Sequence, residues 1–252
     1  MRRKGFVSRS REGHNLTHGI VHDLGSAIVT GVYSPAKPFP VEAELCKRYD
    51  ASRSVLREAV KMLTAKGLLR SRPRQGTAVE PESHWNLLDP DVLRWLLERQ
   101  FSLSLLSEFT EVRLAMEPAA AALAAERATS EQRAAILATI ERMRAAEQGK
   151  DDPLDSDIAF HVAVLEASGN RFLGQLRELI EAALHFSIRT TNYFKGVRLA
   201  SVVDHKKVAD AIIAGDPKAA AAKMHTLILE AKALIDRAQD DSRRAQSVRA
   251  AK

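Results

Sequence analysis

The fold of the N-terminal part is decided by residues 40–79, which read PVEAELCKRYDASRSVLREAVKMLTAKGLLRSRPRQGTAV. The stretch opens with a short segment whose first turn carries two acids, a pattern that favours a helix N-terminus. Ser52 is then a good N-cap for a second helix, and Gly67 stands where the end of that helix needs a positive φ. Residues 68–79 place apolar and β-branched positions on both sides of a Pro/Gly turn, which predicts a β-hairpin.

An amphipathic helix precedes this stretch. Leu16, Ile20, Leu24 and Ile28 recur at every fourth position and form one apolar stripe. Three helices followed by a hairpin make a winged helix-turn-helix, which we assign to residues 14–80.

The helix that follows Ser52 carries a row of cations. Arg53, Arg57 and Lys61 are spaced four residues apart, so they lie on one side of the helix, separate from its apolar residues. Arginine can bridge O6 and N7 of guanine, and the short hydroxyl side chains of Ser52 and Ser54 allow close approach to phosphate. The row therefore suits the major groove of DNA, although an ordinary amphipathic helix with a solvated face has the same spacing.

Charge is divided unevenly along the chain. Residues 1–80 contain 15 Lys and Arg against 7 Asp and Glu, whereas residues 81–252 contain 23 against 25. A basic small domain joined to a slightly acidic larger one is typical of a protein that binds a polyanion. A solvated basic surface with a basic tail is the alternative, since five of the 15 cations lie in the first eleven residues.

Composition excludes several classes of protein. With 45% hydrophobic and 28% charged residues the chain is typical of soluble globular proteins, and its 5% aromatic residues favour close-packed helices over a β-sandwich or barrel. No apolar run approaches the length of a membrane span, and the N-terminus lacks the apolar core of a signal peptide. The single cysteine, Cys46, cannot build a disulfide framework or a thiolate cluster, so we expect a cytoplasmic protein.

The rest of the chain is strongly helical, with seven helical segments after residue 89 and no strand pattern. The predicted fold class is mainly α: a winged helix-turn-helix of three helices plus a β-hairpin wing, joined to an all-α helical bundle. The predicted domains are a flexible basic tail (1–13), the winged helix-turn-helix (14–80), a linker with a short helix (81–102), a helical ligand-binding domain (103–238) and a flexible tail (239–252).

Four residues of the helical half have the spacing of a metal site. Asp157 and His161 are four residues apart on one helix face, His205 begins the next-to-last helix, and His225 lies in the last. A carboxylate with imidazoles suits zinc, nickel, iron or manganese and not calcium or magnesium. An Asp/His pair at this spacing can also be a surface hydrogen bond, and the group can form a polar pocket without a metal.

Motifs across the N-terminal region resemble the DNA-binding domain of GntR-type bacterial transcription regulators. The resemblance is carried by residues 40–45, 52–59 and 74–79 as quoted above. It implies that the start of the recognition helix meets DNA and that the wing tip enters the minor groove. Some relatives have a base-reading arginine where this chain has Ala43, so its operator preference should differ. The residues we assign to DNA binding are Ser52, Arg53, Ser54, Arg57, Lys61, Arg74, Gln75 and Gly76.

The helical half resembles the FCD-type ligand-binding domain of the FadR branch of the same family. The resemblance is carried by the motif from Asp157 to His161, by the run that begins at His205 and by the start of the last helix. It implies a divalent metal held by an aspartate and three histidines at the floor of an effector pocket. The last ligand position falls on Leu227, and His225 lies about 200° away around the helix. The fourth position is therefore open to water, to an effector oxygen or to His225.

Arg113 is placed, by the same resemblance, to bind the carboxylate of an effector. Arginine suits this role because it makes bidentate, charge-assisted hydrogen bonds. An exposed ion pair with Glu117, four residues further on, is the alternative. Residues 84–95 and 43–46 resemble regulators of sugar-acid catabolism, which implies a sugar acid such as galactonate, or a related hydroxy acid, as effector.

These features predict a homodimeric transcriptional regulator, a repressor rather than an enzyme, that binds double-stranded operator DNA and responds to a small carboxylate. A divalent transition metal such as zinc or nickel is the expected cofactor. A metal-dependent enzyme that acts on a small hydroxy acid is an alternative, but no partnering general base is recognisable. An architectural DNA-binding protein without an effector is a further alternative, which the size of the second domain opposes.

Overall fold

The computed structural model describes residues 8–72, 76–99, 103–195 and 201–250. Helices predominate, and the described residues form one sheet, a two-stranded hairpin. The chain divides into two compact units, residues 1–100 and 101–252. The predicted fold class is confirmed: a winged helix-turn-helix precedes an all-α bundle. Within the described ranges, no helix combines the length and apolarity needed to cross a bilayer.

The first unit contains the three predicted helices, the hairpin and one further helix. Asp50 ends the second helix in the left-handed conformation (φ 47°), and the Ser52 hydroxyl caps the third by accepting from the backbone N–H of Val55. Buried residues of all three helices form the core, among them Ile20, Leu24, Leu45, Leu56 and Leu63. The elements are α1 (Ser8–Val29), α2 (Glu42–Tyr49), α3 (Arg53–Ala65), β1 (Leu69–Arg72), β2 (Gly76–Val79), a 3-10 turn (Glu82–His84) and α4 (Pro90–Arg99).

The wing is the antiparallel pair β1 and β2. Leu69 pairs with Val79 at its base, where both side chains are buried, and Arg72 pairs with Gly76 near its tip. Gly76 has φ 79°, a conformation that disfavours residues with a Cβ. Residues 73–75, which include the predicted DNA contacts Arg74 and Gln75, lie outside the described residues.

The fourth helix packs on α1 through a buried tryptophan. The Trp95 side chain is 1% exposed, and its indole N–H donates to Nδ1 of His22 at 3.0 Å. Gly25 allows this contact, because a Cβ at that position would lie 2.3 Å from the indole ring.

A group of half-buried charges fixes the start of α4. Lys66, which follows α3, donates to Asp89 at 2.7 Å and to Asp91 at 2.9 Å. Burial alone would lower the pKa of Lys66, but the two carboxylates raise it above its usual value. The sequence predicts a linker with a short helix over residues 81–102. In the structure, α4 and the turn before it are held against the winged helix-turn-helix, since Trp95 and Asp89 have their partners there.

The second unit is a bundle in which α5 packs against the last helix as well as against the helices that carry the predicted metal ligands. Buried alanines at positions 120, 121, 124 and 125 let these helices approach α5 closely. Its elements are α5 (Leu103–Arg127), α6 (Ser130–Glu147), α7 (Pro153–Ala167), α8 (Arg171–Gly174), α9 (Arg177–Lys195), α10 (Val202–Ile213) and α11 (Pro217–Ala250).

Arg133 on α6 ties together the ends of two of these helices. Its guanidinium donates to the carbonyl oxygens of Ala125 and Ala128 at the end of α5, and to those of Ile212 and Ile213 at the end of α10. A cation is favourable at helix C-termini, where carbonyl groups lack partners and the helix dipole is negative. The contact fixes α10 relative to α5.

Two helices differ from the sequence expectation. The sequence predicts seven helical segments after residue 89, but the described residues form eight helices there, because α8 ends at Gly174 and a separate α9 begins at Arg177. The Asn170 side chain caps a first turn, and glycine weakens its continuation. The sequence predicts a flexible tail over residues 239–252, but α11 continues to Ala250, in a stretch without glycine or proline.

We predict that Gly25→Ala destabilises the first unit. The added methyl would collide with the Trp95 ring, and overpacking of this kind costs about 1–3 kcal/mol. Chemical denaturation followed by tryptophan fluorescence reports on this unit, because both tryptophans, Trp85 and Trp95, belong to it. Gly19→Ala is the control: it lies on the same helix, has no atom within 4 Å of its added Cβ, and should stabilise by up to about 1 kcal/mol. Equal stability of the two variants would contradict the packing described here.

Candidate DNA-binding surface and buried histidine–carboxylate site

The cations of α3 are exposed to solvent. The side chains of Arg53, Arg57 and Lys61 are 77%, 68% and 74% exposed, while the apolar side of the same helix is buried. Ser52 and Ser54 lie at the start of the helix, with their hydroxyl oxygens 2.9 Å apart. The structure therefore leaves this face of the recognition helix open to a duplex, as the spacing predicts.

Acids on neighbouring positions pair with these cations. Glu42 on α2 accepts from Nε of Arg57 at 3.1 Å and lies 3.8 Å from Nε of Arg53, and Glu58 accepts from Lys61 at 3.4 Å. Exposed pairs of this kind contribute at most about 1 kcal/mol, so phosphate can replace the acids at small cost. Sequence reasoning did not predict the contacts of Glu42, because they depend on how α2 packs against α3.

Five ionisable side chains meet inside the second unit. Each is between 1% and 4% exposed, and they come from three helices. On α5 and on α7 the two members are four residues apart, so they lie on the same helix face. The five are Arg113 and Glu117 on α5, Asp157 and His161 on α7, and His205 on α10.

Glu117 lies at the centre of one half of this group. Its Oε1 accepts from Nε of Arg113, and its Oε2 accepts from Nδ1 of His161, each at 2.5 Å. Nη2 of Arg113 also contacts the imidazole, 3.4 Å from Nδ1 and 3.3 Å from Nε2. Burial alone would raise the pKa of Glu117, but Arg113 and His161 lower it to about 2. The carboxylate is therefore ionised at neutral pH.

The other half of the group contains two polar atoms without a hydrogen bond. Nδ1 of His205 lies 2.9 Å from the carbonyl oxygen of Ser201, which only accepts, so Nδ1 carries a proton. In the neutral ring Nε2 is then a bare acceptor. It lies 2.8 Å from Oδ1 of Asp157, and both atoms are buried with no hydrogen-bond partner among the described residues.

The pKa of Asp157 is also lowered. Burial alone would raise it, but His205, His161 and Arg113 lower it below the usual value for aspartate. Asp157 is therefore ionised as well, and in the neutral form of His205 its oxygen and His205 Nε2 would be two acceptors that face each other. A proton or a cation between them would relieve this repulsion.

The geometry of Asp157, His161 and His205 fits a metal ion. The three offer ligand atoms that all lie within 4.8 Å of one another, with Nε2 of His161 at 3.9 Å from Oδ1 of Asp157. Atoms bound about 2.1 Å from one zinc ion lie roughly 3.0 Å apart at a right angle and roughly 3.4 Å apart at a tetrahedral angle. Small side-chain rotations would bring the three atoms to these separations. His161 would also have a carboxylate partner on its other nitrogen, as metal-binding histidines commonly do.

Other predicted residues are placed differently. His225 is exposed on α11 and does not join the group, and Leu227 is half-buried. Arg113 is buried and paired with Glu117, so the ion pair that the sequence allows is formed inside the protein and not on its surface. Its contact with an effector stays a prediction. The spacing of Arg113 and Glu117 is visible in the sequence, but the contact of Glu117 with His161 is not, because it requires α5 and α7 to pack together.

The arrangement of the first unit defines the class of protein. Winged helix-turn-helix domains bind DNA through an exposed recognition helix that enters the major groove, and α3 has this exposure and charge. Residues 16–79 match the model for "Bacterial regulatory proteins, gntR family", and residues 108–230, which contain all five buried residues, match the FCD domain. The chain belongs to the GntR family of bacterial transcriptional regulators, with a C-terminal FCD domain.

Individual relatives support this assignment. The Galactonate operon transcriptional repressor of Escherichia coli (strain K12) is 38% identical over 85% of this chain and 94% of its own length. The uncharacterized HTH-type transcriptional regulator YieP of the same organism is 34% identical over 82% of this chain and 89% of its own length. The Putative L-lactate dehydrogenase operon regulatory protein, also from this organism, is 29% identical over 70% of this chain and 69% of its own length.

We predict that Arg57→Ala weakens DNA binding by about 1–3 kcal/mol, the range for losing one specific arginine contact to a base. Binding is measured by fluorescence anisotropy on a duplex selected from a randomised pool with the unchanged protein. Arg144→Ala is the matched control, since Arg144 is an exposed, ion-paired arginine of the second unit. Unchanged affinity in Arg57→Ala, or an equal loss in both variants, would contradict the role of α3.

Proposed function

We propose that this regulator responds to a small 2-hydroxy carboxylate bound beside a divalent transition metal in the FCD domain. The observation that carries the proposal is the pair of facing acceptors, Asp157 Oδ1 and His205 Nε2, buried 2.8 Å apart without a hydrogen bond. Buried polar atoms without partners are rare in native proteins, and two that face each other need a proton or a cation between them. A cation is proposed because His161 adds a third ligand atom within 4.8 Å of both.

Asp157, His161 and His205 would hold the metal. One carboxylate and two imidazoles suit zinc, nickel, iron or manganese. Bound there, the metal would supply an electrophilic centre with open coordination positions for effector oxygens. The side chain of Leu227, at the position of a further ligand in relatives, has no atom that could fill one of them.

The chemistry of the effector is inferred from the relatives and from Arg113. Two relatives are named for a galactonate operon and an L-lactate dehydrogenase operon, and galactonate and lactate share a hydroxyl group next to a carboxylate. This pair of groups can bind one metal through two oxygens. Arg113 adds a buried positive charge beside the site, with donors beyond the two that bind Glu117.

In the proposed mechanism the repressor is a dimer, and each of its two chains binds one half of a pseudo-palindromic operator. Dimeric helix-turn-helix proteins read half-sites one helical turn apart, so a change in the spacing of the two heads changes DNA affinity. An effector shifts this balance only by as much as it distinguishes the two arrangements, typically about 1–3 kcal/mol.

The decisive experiment combines thermal unfolding with DNA binding. The full chain is treated with a chelator, then zinc or nickel is returned, alone or with D-galactonate, L-lactate or a 2-deoxy or esterified analogue. We expect metal to raise the melting temperature, a 2-hydroxy carboxylate to raise it further only with metal present, and the same acid to weaken binding to the selected duplex. Stabilisation by acids that lack the hydroxyl group would overturn the proposed effector class, and no response to metal would overturn the metal site.

We predict that His205→Ala abolishes the metal-dependent stabilisation. In the unchanged protein a metal present at 100 times its dissociation constant adds about 2.7 kcal/mol, or roughly 5–10 °C for a chain of this size. His225→Ala is the control, because His225 is an exposed histidine of the same domain. Loss of the effect in both variants, or in neither, would contradict the site described here.

A further inference from the structure

Glu117 contacts two functional side chains at once, one through each carboxylate oxygen. Oε1 accepts from Arg113 on its own helix, and Oε2 accepts from Nδ1 of His161 on α7. At 1% exposure Glu117 is shielded from water, so these two contacts determine its orientation.

We propose that Glu117 is a positioning residue for the metal site. It holds His161 in the tautomer that carries its proton on Nδ1, and so leaves Nε2 without a proton, 3.9 Å from Oδ1 of Asp157 and 3.3 Å from Nη2 of Arg113, which donates to it. The inference rests on the proposed function, because the bare Nε2 matters there as a metal ligand.

The neighbours of the imidazole determine its tautomer. A carboxylate oxygen only accepts, so the 2.5 Å contact with Glu117 requires a proton on Nδ1, and a neutral ring then has its lone pair on Nε2. In the other tautomer, Nδ1 and Glu117 would be two acceptors in close contact inside the protein. Nδ1 of His205 also carries a proton, because it donates to the Ser201 carbonyl oxygen. In both neutral rings the unprotonated Nε2 therefore faces Oδ1 of Asp157.

Arg113 occupies one of the two acceptor oxygens of Glu117. The guanidinium is always protonated and has only donors, so its Nε requires an acceptor. In Glu117→Gln the amide oxygen would stay with Arg113, and the amide nitrogen would face Nδ1 of His161 and donate to it. The ring proton would then lie on Nε2, where a metal could bind only after displacing it.

Long-range proton–nitrogen NMR spectra of the metal-free full-length chain test the tautomer directly. The His161 signals are identified by their loss in His161→Gln. We expect the Nδ1–H tautomer of His161 in the unchanged protein and the Nε2–H tautomer in Glu117→Gln. Glu141→Gln, which removes an exposed carboxylate paired with Arg144, should leave the spectrum of His161 unchanged.

Zinc affinity, measured by competition with a chromogenic chelator, gives a second readout. We expect Glu117→Gln to bind zinc about 10–100-fold more weakly than the unchanged protein, as for other partners of metal-binding histidines, and Glu141→Gln to bind it equally well.

The possible failures are distinguishable. An unchanged protein that binds no zinc would overturn the proposed function. Two results would overturn the role of Glu117 alone, provided that the unchanged protein binds zinc. One is that His161 of the unchanged protein is the Nε2–H tautomer or an imidazolium. The other is that folded Glu117→Gln binds zinc with full affinity. If Glu117→Gln does not fold, the tautomer in the unchanged protein decides the question.

Discussion

The packing of the second unit depends on a buried ion pair between Arg113 and Glu117. Arg113 and Glu117 are almost completely buried, and removing one partner of such a pair costs several kcal/mol because the other charge is left without compensation. Glu117 is also bound to His161, so this hydrogen bond links α5 to α7 inside the bundle. Arg133 adds a further condition, since it places the end of α10 against the end of α5.

These restraints bring Asp157 and His205 together although the two side chains do not satisfy each other. A protein core normally places an acceptor opposite a donor. Here the Ser201 carbonyl oxygen accepts from Nδ1 of His205, and in the neutral ring the lone pair of Nε2 would be turned toward a carboxylate. The packed helices therefore form a buried site that favours positive charge between Asp157 and His205.

Sequence patterns predicted the local parts of this structure and missed the parts that depend on packing between helices. The spacing of Arg53, Arg57 and Lys61 was enough to place them on one exposed face, and helical geometry indicated that His225 lies far from the last ligand position. The spacing of four residues also predicted that Asp157 and His161 lie on one face of α7. It could not show that Arg113 is buried or that Glu117 reaches His161, because no local pattern determines how α5 meets α7. The docking of α4 was missed for the same reason: its partners, His22 and Lys66, lie far away in the sequence.

The attachment of α4 to the winged helix-turn-helix changes where the DNA-binding module ends. A fragment cut after the hairpin would lack Trp95 and would expose the surface around Gly25 to water. Lys66 would also lose its ion-pair partners Asp89 and Asp91. A DNA-binding domain that folds on its own must therefore extend to about residue 99, some twenty residues beyond the last strand. The helix α4 is therefore part of the DNA-binding unit and not of a linker.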